Sequence, residues 1–113
     1  MARPEPTPPD QSPDGLDQLD PLLQHRSRLG ALVLLSRADA MNFSRLKSLL
    51  SETDGNLGAQ LKKLEDARYV LVKKEFADRK PVTWYTLSPE GKKALKLHLA
   101  AMESLIKAAG RVA

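Results

Sequence analysis

The side chains with most to offer chemically lie between Thr53 and Leu64. In the run TDGNLGAQLKKL, Leu57, Leu61 and Leu64 recur at helical spacing and form one narrow apolar stripe. With that stripe turned inward, the opposite side of the helix carries Ala59, Lys62 and Lys63, flanked by Asn56 and Gln60. Asn and Gln amides can pair with the edge of adenine, and a lysine can reach guanine or a phosphate. Gly58 and Ala59 are small enough to let the helix backbone approach a base closely. A second basic group is Asp78-Arg79-Lys80, set between two runs rich in β-formers. A basic tip on a β-ribbon can enter a minor groove or clamp the backbone. Arg79 suits a groove better than Lys80, because its planar head is less tightly hydrated than an ammonium. Ser44 and Arg45 open another helical run, whose free N–H groups suit a phosphate. Thr53 serves as a helix cap and a phosphate neighbour. Each feature also has a plainer reading: a solvated helix face for Lys62 and Lys63, an ordinary charged hairpin tip for Arg79 and Lys80, capping alone for Thr53.

Other chemistries lack their residues. There are no cysteines, so neither disulfides nor thiolate metal ligands can form. His25 and His98 have no metal-ligand spacing and read as surface or packing residues. No Gly-rich phosphate loop, nucleophile elbow or paired-carboxylate motif is present. The sequence therefore reads as a non-enzyme with no cofactor and no metal. The longest apolar run, Ala31 to Leu35, is too short to cross a bilayer, and the N-terminus lacks the order of a secretory signal. These features lead to an expectation of a cytoplasmic protein.

The chain is 113 residues long, enough for one domain. Its charge is unevenly placed. Residues 1–20 hold one basic residue (Arg3) against five acidic ones, while the rest holds 17 basic and 9 acidic. A basic body favours polyanionic partners. Residues 1–15 contain five prolines and no large aliphatic residue after Met1, so they read as a disordered acidic tail. Residues 110–113 read as a second tail.

Between the tails the elements follow from caps and periodicity. Asp20-Pro21 opens a helix that continues to about Ser36, with Gly30 its weak point. Met41 to Phe43 forms a very short strand. Ser44 caps a second helix, Arg45 to about Ser51, and Thr53 or Asp54 caps a third, ending near Ala67. Tyr69 to Phe76 and Pro81 to Leu87 make a hairpin around a polar turn, 77–80. At least one of Lys73 and Lys74 reads as edge-strand protection, and Trp84 reads as partly exposed. Ser88-Pro89-Glu90 opens a last helix that Gly110 stops. The fold class is mainly α with a small antiparallel β-hairpin (α+β), laid out as a winged helix-turn-helix over residues 16–109.

The last helix carries two apolar lines, one through Leu95, Leu99, Met102 and Ile106 and one through Ala94, Leu97, Ala101 and Leu105. One line serves the protein's own core, and two imply a partner chain. Leu16, Leu19, Leu95, Leu99, Met102 and Ile106 are the expected dimer contacts. The alternative is that the leucines at Leu16, Leu19, Leu22 and Leu23 cover this helix within a monomer.

The stretches LDPLLQHRSRLGAL (19–32), TDGNLGAQLKKLEDARYV (53–70) and KKEFADRKPVTWYTLSPEGKKAL (73–95) resemble the winged-helix transcriptional regulators related to MarR, in their short single-domain group. The resemblance spans Leu19 to about Ile106. It implies a homodimer that binds a palindromic operator on double-stranded DNA, with the third helix in the major groove and the wing at the minor groove or backbone. It departs from the family at Arg68, where a glycine is usual. A protein-interaction module and a non-specific architectural DNA binder are the alternatives. No residue demands a small-molecule effector.

Overall fold

Residues 12–110 are described by a computed structural model. Two single-turn 3-10 helices, Leu16–Gln18 and Pro21–Leu23, precede α1 (Arg26–Ser36), β1 (Met41–Asn42), α2 (Phe43–Leu50), α3 (Asp54–Asp66), β2 (Val70–Ala77), β3 (Lys80–Leu87) and α4 (Pro89–Ala109). Most of the expected acidic tail, residues 1–11, lies outside the described residues, as do 111–113 of the second tail. Among the described residues, no helix is long and apolar enough to cross a membrane.

The helix expected from Pro21 to Ser36 is two elements. Asp20 Oδ1 accepts from Leu22 N at 2.9 Å and starts a single 3-10 turn. His25 is extended, and its Nδ1 accepts from Ser27 N at 3.1 Å to start α1. Each side-chain acceptor competes with the backbone ladder. The break lets Leu23 enter the core fully. Asp20 is further held by its N–H, which donates to His98 Nδ1 at 2.9 Å, and by the Tyr69 hydroxyl, which donates to its Oδ2. Burial first, then the Asp20 carboxylate, pushes the Tyr69 phenol up to about 12. Gly30 lies where α1 meets α2: a Cβ there would come within 2.6 Å of Leu50 Cδ2.

The second helix starts earlier than expected, and Asn42 rather than Ser44 caps it. Asn42 Oδ1 accepts from Arg45 N at 2.8 Å. Asn42 is extended because β1 pairs antiparallel with β3, Met41 against Tyr85 and Asn42 against Trp84. The hairpin thus gains a third strand, in the order β1-β3-β2. The β2–β3 ladder runs to Ala77 opposite Lys80, so the turn is Asp78-Arg79 alone, with φ of 50° and 65°. Positive φ at both central residues defines a type I′ turn, whose twist matches the strands.

In α3, Thr53 Oγ1 accepts from Asn56 N at 3.2 Å, and Leu57, Leu61 and Leu64 are buried as expected. The helix ends with Arg68 at φ 64°. Arg68 N donates to Glu65 O at 2.9 Å and Tyr69 N to Leu64 O at 2.9 Å, the two bonds of a Schellman motif. Ser88 Oγ donates to the Arg68 carbonyl at 2.6 Å while accepting from Gly91 N at 2.9 Å, which joins the end of α3 to the start of α4. At Gly91 a Cβ would lie 2.1 Å from Tyr69 O, so only glycine allows this approach. One core joins α1, α2, α3, the sheet and α4. Leu95 belongs to it at 5% exposure, which corrects its assignment to the dimer surface. The inward residues of α4 are Gly91, Leu95, His98 and Ala101, a set that includes two non-aliphatic residues.

Arg68→Gly is expected to stabilise the protein by about 1 kcal/mol, since glycine takes the left-handed backbone without a Cβ clash. Chemical denaturation of both proteins checks it: the midpoint should rise at constant slope.

Candidate nucleic-acid interface

The leucine stripe of α3 leaves Asn56, Ala59, Lys62 and Lys63 exposed, as expected. Gln60 departs from that expectation. It is 8% exposed and sits on the buried side with the leucines. On a helix turning about 100° per residue, Gln60 lies just beside Leu57 and Leu64, so the buried face is wider than the leucines alone. Its amide is engaged on both sides. Arg28 donates to Gln60 Oε1, and Gln60 Nε2 donates to Asn56 Oδ1 at 3.2 Å. Asn56 Nδ2 in turn donates to Glu52.

Glu52 was not singled out from the sequence. It lies in the α2–α3 turn and also accepts from the Ser27 hydroxyl and from Arg26 at 3.0 Å. The Ser27 and Asn56 hydrogen bonds, then Arg26, hold its carboxyl below the usual carboxylate range. Only the three-dimensional meeting of α1 with this turn reveals it, because Arg26 and Glu52 are 26 residues apart.

The cations differ in their surroundings. Lys62 is paired with Asp66 at 2.9 Å and with Glu65 at 3.7 Å, and Asp66 chiefly raises its pKa. Lys47 is paired with Asp54 at 2.8 Å. Among the described residues, no carboxylate forms a salt bridge with Arg45, Lys63, Lys74, Arg79 or Lys80. Ser44 and Arg45 are exposed in the first turn of α2, and Thr53 is exposed at the start of α3.

Two adjoining grooves bring these elements together. One, of about 350 Å³, has Gly58, Lys62 and Glu65 of α3 on one wall and Val72, Lys74 and Thr83 of the ribbon on the other. A second, of about 310 Å³, is lined by Asn42, Phe43 and Ser44 at the start of α2 and by Pro81, Val82 and Thr83. The exposed side of α3, the first turn of α2 and the ribbon thus border one another, with Arg79 and Lys80 at the ribbon's free end. Of the two lysines among which the sequence places an edge protector, Lys74 belongs to this surface. Alternation along β2 puts it on the face of Val72, but that face is assigned only once the ribbon is packed on α3. Among the described residues, no group of three His, Cys, Asp or Glu side chains could hold a metal ion.

This arrangement has known counterparts. The family model described as "Winged helix DNA-binding domain" matches residues 27–106. The uncharacterized protein MJ0432 of Methanocaldococcus jannaschii is 34% identical over 80 residues, covering 71% of this chain and 87% of that one. A transcriptional regulator homologue from Pyrococcus horikoshii OT3 superposes with a TM-score of 0.74 at 28% identity, over 80% of this chain and 89% of its own. Sco3205, a MarR family transcriptional regulator from Streptomyces coelicolor solved in complex with DNA, shares the fold. Its TM-score is 0.60 at 21% identity, over 82% of this chain and 65% of its own.

Gly58 gives this surface a direct test. Nothing lies within 4 Å of a Cβ built on it, so the fold itself does not require glycine there. Gly58→Ala is expected to raise stability by about 1 kcal/mol through helix propensity. The added methyl should weaken duplex binding by obstructing close approach. Thermal unfolding and a fluorescence-anisotropy titration on the same variant check both; greater stability with unchanged affinity would show that α3 does not come close to DNA at this point.

Proposed function

Given that the chain belongs to the winged helix DNA-binding domain family, we propose that it is a MarR-like transcriptional regulator that binds a palindromic operator as a homodimer. The family and fold are those of DNA-binding transcriptional regulators rather than of enzymes. In this reading α3 lies in the major groove, where Asn56, Ala59, Lys62 and Lys63 meet bases and phosphates. Ser44, Arg45 and Thr53 hold the backbone, and Arg79 and Lys80 reach the minor groove or the flanking phosphates. Gln60 contributes from behind, through Asn56. The observation that carries this reading is the groove in which α3 and the ribbon face each other, with Lys62 and Lys74 on opposite walls. Residues 16–109 form the DNA-binding and dimerisation unit, residues 1–15 and 110–113 are its tails, and the protein works in the cytoplasm.

The homodimer draws support from α4. Leu99 and Ile106 are 44% and 68% exposed, and Met102 and Leu16 are also exposed. Leu19 is partly buried. Exposed apolar side chains gathered on one element mark an interaction site. A two-fold pairing through this surface would present two recognition helices about 34 Å apart, one turn of B-DNA.

Two measurements test the proposal. Affinity for a duplex selected from a random pool should fall steeply with salt, and Arg79→Ala should lower the log–log slope by about 1 as one phosphate contact is lost. Affinity that is flat with salt favours a protein-interaction module, and equal affinity for selected and random duplexes favours an architectural binder. Sedimentation should find a dimer that Leu99→Asp converts to a folded monomer; a dimeric variant would place the interface elsewhere.

A further inference from the structure

The polar chain behind α3 has a direction, and the chemistry of its two ends dictates it. Arg28 carries only donors, so the Gln60 atom facing it is the carbonyl Oε1. An ionised Glu52 offers only acceptors, so the Asn56 atom facing it is the amide Nδ2. The bond between the two amides therefore runs from Gln60 Nε2 to Asn56 Oδ1. Both ends are anchored in turn. Arg28 Nε donates to the Leu22 carbonyl at 2.6 Å. Glu52 accepts from Ser27 and Arg26, and these bonds keep it a charged acceptor. Each polar atom of Asn56 retains one unused position: one N–H on Nδ2 and one lone pair on Oδ1. Asn56 is exposed, and it is the third residue of α3.

We propose that Glu52 is a positioning residue which, with Gln60 and Arg28, fixes the amide of Asn56 so that α3 reads an adenine at one position of each half-site. This rests on the DNA-binding reading and deepens it by naming the base. Adenine offers the major groove one acceptor, N7, and one donor, the N6 amino group, which complement one amide N–H and one carbonyl lone pair. Guanine offers two acceptors, and its O6 would face the Asn56 carbonyl. An amide free to flip gives donor and acceptor in either order and loses more side-chain freedom on binding. The ordered chain removes both weaknesses. Recognition helices contact base edges with their N-terminal residues, which is where Asn56 lies.

Selection of bound duplexes from a random pool, run on the full chain and three variants, tests this. The wild type should prefer adenine over the next base on the order of tenfold at one position per half-site, the discrimination of one bidentate pair. Asn56→Ala should abolish that preference alone. Glu52→Ala and Gln60→Met should each reduce it severalfold at the same position while preferences elsewhere stay. Where Glu52→Ala does not fold, Gln60→Met decides. In the free protein, the Asn56 side-chain ¹⁵N order parameter should approach the backbone level of about 0.85 and drop below about 0.6 in Gln60→Met. An unchanged base profile in Asn56→Ala, or in Gln60→Met, overturns the inference while leaving DNA binding intact. A wild type that binds no duplex overturns the DNA-binding reading itself, and this one with it.

Discussion

Burial of Leu57, Leu61 and Leu64 fixes the rotation of α3, and through it the surface this protein offers. All three are at most 1% exposed. Truncating any of them to alanine would cost about 2–5 kcal/mol, a large part of the stability of a small domain. The helix therefore cannot roll about its axis to suit a ligand. Asn56, Ala59 and Lys63 face outward because the leucines cannot. The ribbon is tied to the same frame, since Tyr69 N donates to Leu64 O at the end of α3 and the Tyr69 carbonyl accepts from Ser88 N at 3.1 Å. The tip at Arg79 and Lys80 is thus the far end of a lever whose base is set by the same core.

What could be read along the chain was local. Ser88-Pro89-Glu90 announces α4 and Gly110 ends it, because cap, first-turn proline and stop act within a few residues of one another. The leucine stripe of α3 and the hairpin were legible for the same reason. The misplaced features were decided at a distance. Asn42 and Ser44 are both good caps; pairing of β1 with Trp84 and Tyr85, more than forty residues on, extends Asn42 and gives it the role. The 3-10 turn before the break at Gln24 and His25 is tied to α4 by His98, which accepts from Asp20 N across 78 residues. Leu95 and Leu99 lie on one line by spacing, yet Gly91, His98 and Ala101 turn with Leu95 toward the core and leave Leu99 outside. A hydrophobic pattern gives glycine and histidine no weight, so it could not locate that boundary.

The candidate site shows the same division. Its cations were legible because exposed charge needs no partner to be recognised. Their pairing was not. Lys62 is held by Asp66 and Glu65 one turn along the helix, whereas Lys63 is without a salt-bridge partner among the described residues. Counterions condensed on DNA are displaced by charge that is available, and an internally paired ammonium must first give up its carboxylates. Adjacent lysines on one helix are therefore unequal contributors to affinity. Lys74, on the opposite wall of the groove, adds a cation that the sequence alone could not tell apart from Lys73.

Arg28 joins these layers. Its Nε holds the Leu22 carbonyl and its NH1 holds Gln60, so one guanidinium spans from the N-terminal 3-10 turn to the amide pair on α3. That turn is not free-standing. Leu19 and Leu23 wall an apolar groove of about 560 Å³ whose other side is Met102, Leu105 and Ile106 of α4, with His98 between them. A partner seated in this groove, against Met102 and Ile106, would therefore also bear on the position of the Leu22 carbonyl. A planar, always-charged donor tolerates little misalignment at either end. The orientation of Asn56 and the packing of the N-terminal segment on α4 are thus linked by a hydrogen-bonded path of four residues, Leu22, Arg28, Gln60 and Asn56, that runs across the middle of the domain.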